Sequence, residues 1–292
     1  MNIKYCVKEE ISINQVLSDK LEMSTRLKNK LIKNKNILLN GSFVDTRTVV
    51  KLGDIITVIL NYEEDNSNIL PTKMDLDIIY EDEFLLAVNK PSGIAVHPSI
   101  LHFDDSLANG VRYYFDCIGL KKKIRPVNRI DLNTSGIVLF AKSEYFQECL
   151  IKQMSSGIFK KSYLCIASGI FKNKNGIIVA PIDRKSNSII ERCVSPEGQI
   201  AITHYDVLKE FKDYSLVECK LETGRTHQIR VHMSHIGHPL LGDDLYNLRD
   251  NKFDLINRQA LHSYKMEFVH PVYNNKIMLE ADLHEDMMKI VK

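Results

Sequence analysis

A chain of 292 residues, 44% apolar and 26% charged, has the substance for one large domain plus a small one. Its net charge of +2 announces no nucleic-acid partner, so the distribution of charge must decide that question. Six scattered cysteines without a CxxC pair argue against a zinc site or a disulfide framework, and no run nears the ~20 apolar residues of a membrane span.

From the amino terminus, Ser12-Ile13-Asn14-Gln15 fits a capping box, and Val16, Leu17 and Leu21 continue an apolar face at helical spacing. Ser24 opens a second short helix through Leu27, Leu31 and Ile32. Its other positions carry Arg26, Lys28, Lys30, Lys33 and Lys35. Ile37-Leu38-Leu39, the pair Asn40-Gly41 and Ser42-Phe43-Val44 signal a hairpin, and Gly53-Asp54 turns into a strand over 55–60. The basic helix suits a phosphate-binding platform or a solvated face, and the pattern alone does not choose.

The stretch RLKNKLIKNKNILLNGSFV resembles the S-four type RNA-binding domain, named after a ribosomal protein. The resemblance covers residues 1–62 and implies binding to structured RNA rather than catalysis. Residues 61–72 (NYEEDNSNILPT) are polar, acidic and closed by Pro71, a linker composition placed at 63–74 ahead of a large domain over 75–292. Few core contacts are expected across it, so the two domains are expected to move relative to one another.

Leu76-Asp77-Ile78-Ile79-Tyr80 and Phe84-Leu85-Leu86-Ala87-Val88 read as strands about the turn Glu81-Asp82-Glu83. Lys90-Pro91-Ser92-Gly93 is a further turn, His97 and His102 flank a loop, and 106–115 reads as a helix. Lys121-Lys122-Lys123 and Lys160-Lys161 suit phosphate or solvent equally. In RPVNRIDLNTSGIVLFAK, Asp131 follows Arg129 by two residues and precedes the turn-forming Asn133-Thr134-Ser135-Gly136. The apolar run Ile137-Val138-Leu139-Phe140-Ala141 reads as a buried strand, which puts Asp131 on its rim. Taken alone, such an aspartate is more often a turn cap than a catalyst. The helix after Ser143 places Phe146, Leu150 and Met154 at four-residue steps, a core stripe. Short strands, hairpin turns and occasional helices argue for an α+β fold rather than a doubly wound parallel sheet.

Several spaced motifs then overturn the first reading of Asp131. NKPSGIAVHP, VNRIDLNTSGIVLFAK, KKSYLCIASG, AITHYDVLKEF, LETGRTHQIRVHMSHIGHPLLGDDLYN and RQALHSYKMEFVHP follow in order from about Asp77 onward. Together they resemble the pseudouridine synthases of the RluA/RluD type, which isomerise uridine to pseudouridine within RNA. The resemblance implies a mixed, largely antiparallel sheet behind a small α/β RNA-binding module.

It also implies that Asp131 is the catalytic carboxylate, acting as a covalent nucleophile or as a base on the sugar. Arg230, from HQIR, would favour its ionised form. Tyr163, from KKSY, would stack on the target base, Arg129 would enter the gap left by the flipped uridine, and Leu261 would wall the base pocket. Flipping costs a few kcal/mol, which stacking and phosphate contacts offset. The family commonly has His where this chain has Asn128, so no proton transfer is assigned there.

No cofactor is implied, neither GxxxxGKS/T nor GxGxxG offers a nucleotide cradle, and no metal is expected. His227, His232, His235 and His238 lack HExxH spacing and enclose Arg230, so packing around Thr223-Gly224-Arg225 is their expected role, with Gly224 allowing a tight turn. The expected partner is RNA, ribosomal RNA of the large subunit foremost and transfer RNA as the alternative, met by a monomer in a reducing cytoplasm without a membrane. Two other classes compete: a non-catalytic RNA-binding or ribosome assembly factor, and a carboxylate-dependent nucleoside or glycoside hydrolase, for which no second carboxylate motif is visible.

Overall fold

The computed structural model describes residues 1–247 and 255–292. The chain starts with strand β1 (Asn2–Cys6), which the sequence reading did not anticipate. Ser12 and Gln15 form the expected capping box, but the helix they open is only Ile13–Gln15 before it widens into a π-helix, Val16–Lys20. Helix α1 (Thr25–Lys33) is capped by Ser24, whose hydroxyl accepts from Leu27 N–H at 3.2 Å. Strand β2 (Ile37–Leu39) returns as β3 (Ser42–Phe43) through Asn40 and Gly41, both at positive φ, as a two-residue hairpin turn requires. Strand β4 (Ile55–Ile59) then lies between β1 and β2.

The large sheet starts with β5 (Ile78–Glu81) and β6 (Leu85–Lys90), turned by Asp82, which accepts from Phe84 N–H and Leu85 N–H at 2.7 Å each. Helix α2 (Leu107–Cys117), strand β7 (Ser135–Ala141), helix α3 (Glu144–Ser155) and strand β8 (Lys160–Ser168) follow. Next come β9 (Asn175–Val179), β10 (Ile202–Glu210), β11 (Tyr214–Leu221) and helix α4 (Gln228–His235). Strands β12 (Leu261–Val269) and β13 (Lys276–Glu280) and helix α5 (Glu285–Val291) complete the chain. The sheet runs β9-β10-β11-β8-β12-β7-β6-β5, with β13 added to β12. Its ladders are antiparallel except for one, the parallel junction of β12 and β7. The α+β, mixed and largely antiparallel expectation therefore holds.

Strands β6 and β7 are buried on both faces, and their alternation divides two cores. Leu86, Val88, Val138 and Phe140 pack with Leu107, Val111 and Phe115 of α2. Leu85, Ala87, Ile137 and Leu139 face the other way, onto Phe146 and Leu150 of α3. That second core runs on without a break into Ile3, Leu17, Leu27 and Val58 of the amino-terminal module. The expectation of few contacts between freely moving domains is therefore corrected.

The linker is pinned as well. Glu64 is buried between Arg125, which donates to it twice at 2.7 Å, and Lys30 at 3.1 Å. Lys122 is buried rather than at a phosphate or solvent surface, donating to Leu60 O at 2.6 Å and Tyr62 O at 2.5 Å. Burial pushes its ammonium down to about 8. The acidic composition read as solvated linker instead answers the cations of the large domain.

Candidate active site

Asp131 lies in the loop that leads into β7, and four residues fix that loop: Gly136, Lys90, Arg258 and Asn128. Gly136, one residue into the strand, has φ +106°, and a Cβ there would stand 2.3 Å from Ser263 O of β12. Only glycine lets the two parallel backbones approach so closely. Lys90, wholly buried at the end of β6, donates to Pro91 O, Ile94 O and Leu132 O at 2.7–2.9 Å, and so ties the Lys90-Pro91 turn to the residue after Asp131. Arg258 reaches Asn133 O at 3.1 Å and Ser135 Oγ at 3.3 Å while its Nε and Nη2 hold Asp286 of α5 at 2.6 and 2.9 Å. Asn128 uses both ends of its amide on β7, donating to Ile137 O at 3.1 Å and accepting from Leu139 N–H at 2.8 Å. Its position is thus structural, and a loop-holding side chain is what the departure from His supplies.

Helix α4 brings the guanidinium. Arg230 is 4% exposed and forms a fork-to-fork pair with the fully buried Asp243, Nε to Oδ2 and Nη2 to Oδ1 at 2.8 Å each. Asp243 Oδ1 also accepts from Leu245 N–H and Tyr246 N–H at 3.1 Å, which fixes the carboxylate in place. Nη1 of Arg230 remains for Asp131, 3.4 Å from Oδ2. Burial works against the charge of Arg230, but its bonds to Asp243 and the charges of Asp243 and Asp131 outweigh that and raise its pKa. His227 approaches the same oxygen, Nε2 3.8 Å from Asp131 Oδ2. It adopts the left-handed conformation (φ 57°, ψ 20°) at the start of α4, and its Nδ1 lies 2.8 Å from the Tyr246 hydroxyl. Burial holds the imidazole below its ordinary range more strongly than the Asp131 charge raises it.

Tyr163 on β8 and Leu261 at the start of β12 are buried side chains of one apolar cluster, and both open onto Asp131. Burial, with the Asp131 charge adding to it, pushes the Tyr163 hydroxyl up to about 12. Asp131, Arg230, Tyr163, Leu261 and Arg129 line a single pocket of about 60 Å³. The pocket widens into a cleft of about 710 Å³ that takes in Arg129, Lys161, Arg225 and His97. The carboxylate itself is 28% exposed, reachable from that cleft.

The five residues marked around the reaction centre therefore converge, although they come from three strand ends or loops and a helix up to 132 positions apart in the chain (Arg129 to Leu261). The basic helix divides. Arg26, Lys33 and Lys35 are exposed, while Lys30 turns inward to Glu64 and Glu144 and Lys28 donates to Asn14 and Ser18. His232 and His238 have packing roles as expected: His232 between Thr203 and Ala180, His238 against Ser168 O and stacked on Phe171. His227 does not, and Gly224 is not the tight-turn residue; it leaves room for the Lys161 ammonium, 3.2 Å from where its Cβ would be. The left-handed residue in this stretch is His227. Among the described residues no three His, Cys, Asp or Glu side chains gather as a metal site, and no helix is long and apolar enough to cross a membrane.

The family model described as RNA pseudouridylate synthase matches residues 84–235. The chain is 39% identical over 257 residues to the uncharacterized RNA pseudouridine synthase YjbO of Bacillus subtilis (strain 168), covering 88% of this chain and 90% of that one. It is 33% identical to the ribosomal large subunit pseudouridine synthase D of Xylella fastidiosa, over 89% of this chain and 81% of the other. The solved structure of human RNA pseudouridylate synthase domain containing 1 is similar with a TM-score of 0.60 at 25% identity, covering 71% of this chain and 83% of its own.

Proposed function

The chain belongs to the RNA pseudouridylate synthase family, isomerases that act on RNA, and from that premise we propose that Asp131 is its catalytic carboxylate and large-subunit ribosomal RNA its substrate. The single observation that supports the assignment of residues is the meeting of Asp131, Arg230, Tyr163, Leu261 and Arg129 in one pocket. In this reading the target uridine leaves its stack and its uracil lies against Tyr163, with Leu261 as the wall and Arg129 at the mouth to fill the vacated place. Asp131 attacks the sugar carbon or takes a sugar proton, and the N1 glycosidic bond breaks. The uracil turns, its C5 bonds to the same sugar carbon as Asp131 leaves that carbon or returns the sugar proton, and the proton lost from C5 is balanced by the one gained at N1. Nothing is oxidised, added or released. Arg230 keeps a positive charge beside the reacting oxygen, and its lock on Asp243 keeps that charge from wandering.

The competing hydrolase would need a second carboxylate free to act as acid or base. Asp243 is wholly buried and gives both oxygens to Arg230, and Asp244, the other carboxylate beside it, leans on the same guanidinium at 3.5 Å. For the substrate, the support is the printed activity of relatives such as the Xylella fastidiosa enzyme, named for the ribosomal large subunit. For the amino-terminal module, read as an S-four type RNA-binding unit, the support is the exposed trio Arg26, Lys33 and Lys35. The enzyme works in this reading as a cytoplasmic monomer.

The test is to map pseudouridines in total RNA from a deletion strain, then restore the wild-type chain or Asp131→Asn. The wild type restores a site in large-subunit ribosomal RNA and the Asp131→Asn chain restores none while still binding RNA. Full activity of Asp131→Asn overturns the catalytic assignment, and a restored site confined to transfer RNA overturns the substrate.

A further inference from the structure

Beside the cleft lies a smaller cavity of about 230 Å³, lined by Arg184, Arg192, Arg225, Asp183, Gln199 and Thr226. Arg184 and Arg192 sit on two short strands, Ile182–Arg184 and Arg192–Val194, and are direct partners across that antiparallel pair. Like charges facing each other across a ladder destabilise it. Among the described residues neither guanidinium, nor that of Arg225, has a carboxylate within 4.0 Å. The neighbouring cation does: Lys185, next in the same hairpin, is answered by Glu191. Asp183, the one carboxylate in the cavity, accepts from the backbone N–H of Arg184 at 2.7 Å. Arg225 is oriented by its own bond, Nε to Ile200 O at 3.0 Å, which leaves its terminal nitrogens to the cavity.

Three guanidiniums with no carboxylate partner among the described residues, two of them facing each other, thus surround a space sized for a small anion. Arg225 and Thr226 line both this cavity and the cleft that holds Asp131, so the two are continuous. We propose that Arg184, Arg192 and Arg225 form a phosphate subsite that grips a backbone phosphodiester of the RNA strand carrying the target uridine. The guanidinium fork matches phosphate oxygens in pairs, and the phosphate charge removes the repulsion across the hairpin. Phosphate contacts fix register without reading sequence, so this subsite would set how far along the strand the target uridine lies from the gripped phosphate. The proposal rests on the RNA-modifying reading above for its ligand, but not on Asp131 being the catalyst.

The probe is a single-stranded oligouridine of twelve nucleotides, bound to the full-length chain and followed by fluorescence anisotropy across a salt series. Arg184→Gln with Arg192→Gln is compared with Lys172→Gln with Lys212→Gln, a pair of exposed cations elsewhere. The arginine pair should weaken binding by about ten-fold at 0.1 M salt and flatten the log affinity against log salt slope by about 1.4, while the lysine pair changes neither. Melting temperature should hold or rise in the arginine pair, because a repulsion is removed; a merely structural role would lower it. Equal slopes in both pairs, or a fall in melting temperature without loss of binding, overturns the subsite. If inorganic phosphate raises the melting temperature of the wild type but not of the arginine pair, while oligouridine binding ignores the substitutions, the cavity holds a free anion and the RNA assignment falls. Pseudouridine formation by the wild type is scored separately, so a failure of the enzymatic reading leaves the oligouridine result interpretable.

Discussion

Arg230 grips Asp243 through both edges of its guanidinium fork, 2.8 Å on each, and turns only its third nitrogen to Asp131. The guanidinium is therefore anchored by one aspartate and presented to another. Removing the anchor should damage fold and reaction together. Asp243→Ala leaves a 4%-exposed guanidinium without its buried partner, a loss of about 3–5 kcal/mol. Urea unfolding should show it as a lower midpoint at unchanged slope, with pseudouridine formation falling in the surviving folded fraction. Asp243→Asn, which keeps the shape and part of the bonding, should lose less on both counts.

His227 presents Nε2 to Asp131 from a backbone conformation that asparagine tolerates and branched or aliphatic side chains resist. Single-turnover rates should rank wild type above His227→Asn, and His227→Asn above His227→Leu, by about ten-fold per step. Oligonucleotide affinity should stay within about two-fold, since no phosphate contact is removed. Equal rates in the Asn and Leu variants would assign His227 to packing alone.

Acid should loosen this protein in two stages. His262 is wholly buried between Ser135 Oγ and Ala281 O, and burial pushes its imidazole from 6.5 down to about 4. The folded chain therefore takes up this proton less readily than the unfolded chain. The stability it contributes is whole above pH 6.5 and is lost as pH falls toward 4, about 3 kcal/mol in all. For Glu64, burial raises the pKa but Arg125 and Lys30 outweigh it and bring it from 4.5 to about 2. Its contribution is whole above pH 4.5 and is lost as pH falls toward 2, again about 3 kcal/mol. Denaturant midpoints between pH 7 and pH 4.5 should fall less in His262→Gln than in the wild type; parallel curves would remove His262 from the account.

The amino-terminal module cannot be tested by cutting it away, because Phe84, Phe146 and Leu150 share their core with Leu17, Leu27 and Val58. Charge removal is the cleaner route. Replacing Arg26, Lys33 and Lys35 together by glutamine should flatten the salt slope of RNA binding by about 2 and leave the melting temperature within about two degrees. The same substitution at Lys30 should instead destabilise the chain, since Glu64 and Glu144 lose a cation.

What the sequence disclosed and what it withheld divide along a physical line. The hairpin at Asn40-Gly41, the caps at Ser12, Ser24 and Ser143, and the buried run of β7 are local, written in turn chemistry and periodicity. Asp131, Tyr163 and Arg230 were singled out through spaced motifs, and the fold brings the three to one pocket. Strand β1 escaped because five residues alternating polar and apolar carry little signal without their partner β4. Lys122 and Glu64 read as solvated charges because a buried ion looks like an exposed one until its partner arrives from about sixty residues away. Lys90, Arg258 and Asp243 act through backbone carbonyls or a committed ion pair, and no periodicity marks such contacts.

The parallel seam of β7 and β12 has a temporal meaning. Ser135 pairs with His262 and Gly136 with Ser263, although Gly136 already has Lys90 on its other side, and the latch on Asn133 comes from Arg258, itself held by Asp286. A nascent chain emerging from the ribosome thus carries its acid long before it has anywhere firm to put it. A product truncated before residue 258 would keep Asp131 yet lack the contacts of Arg258 and β12 that seat its loop.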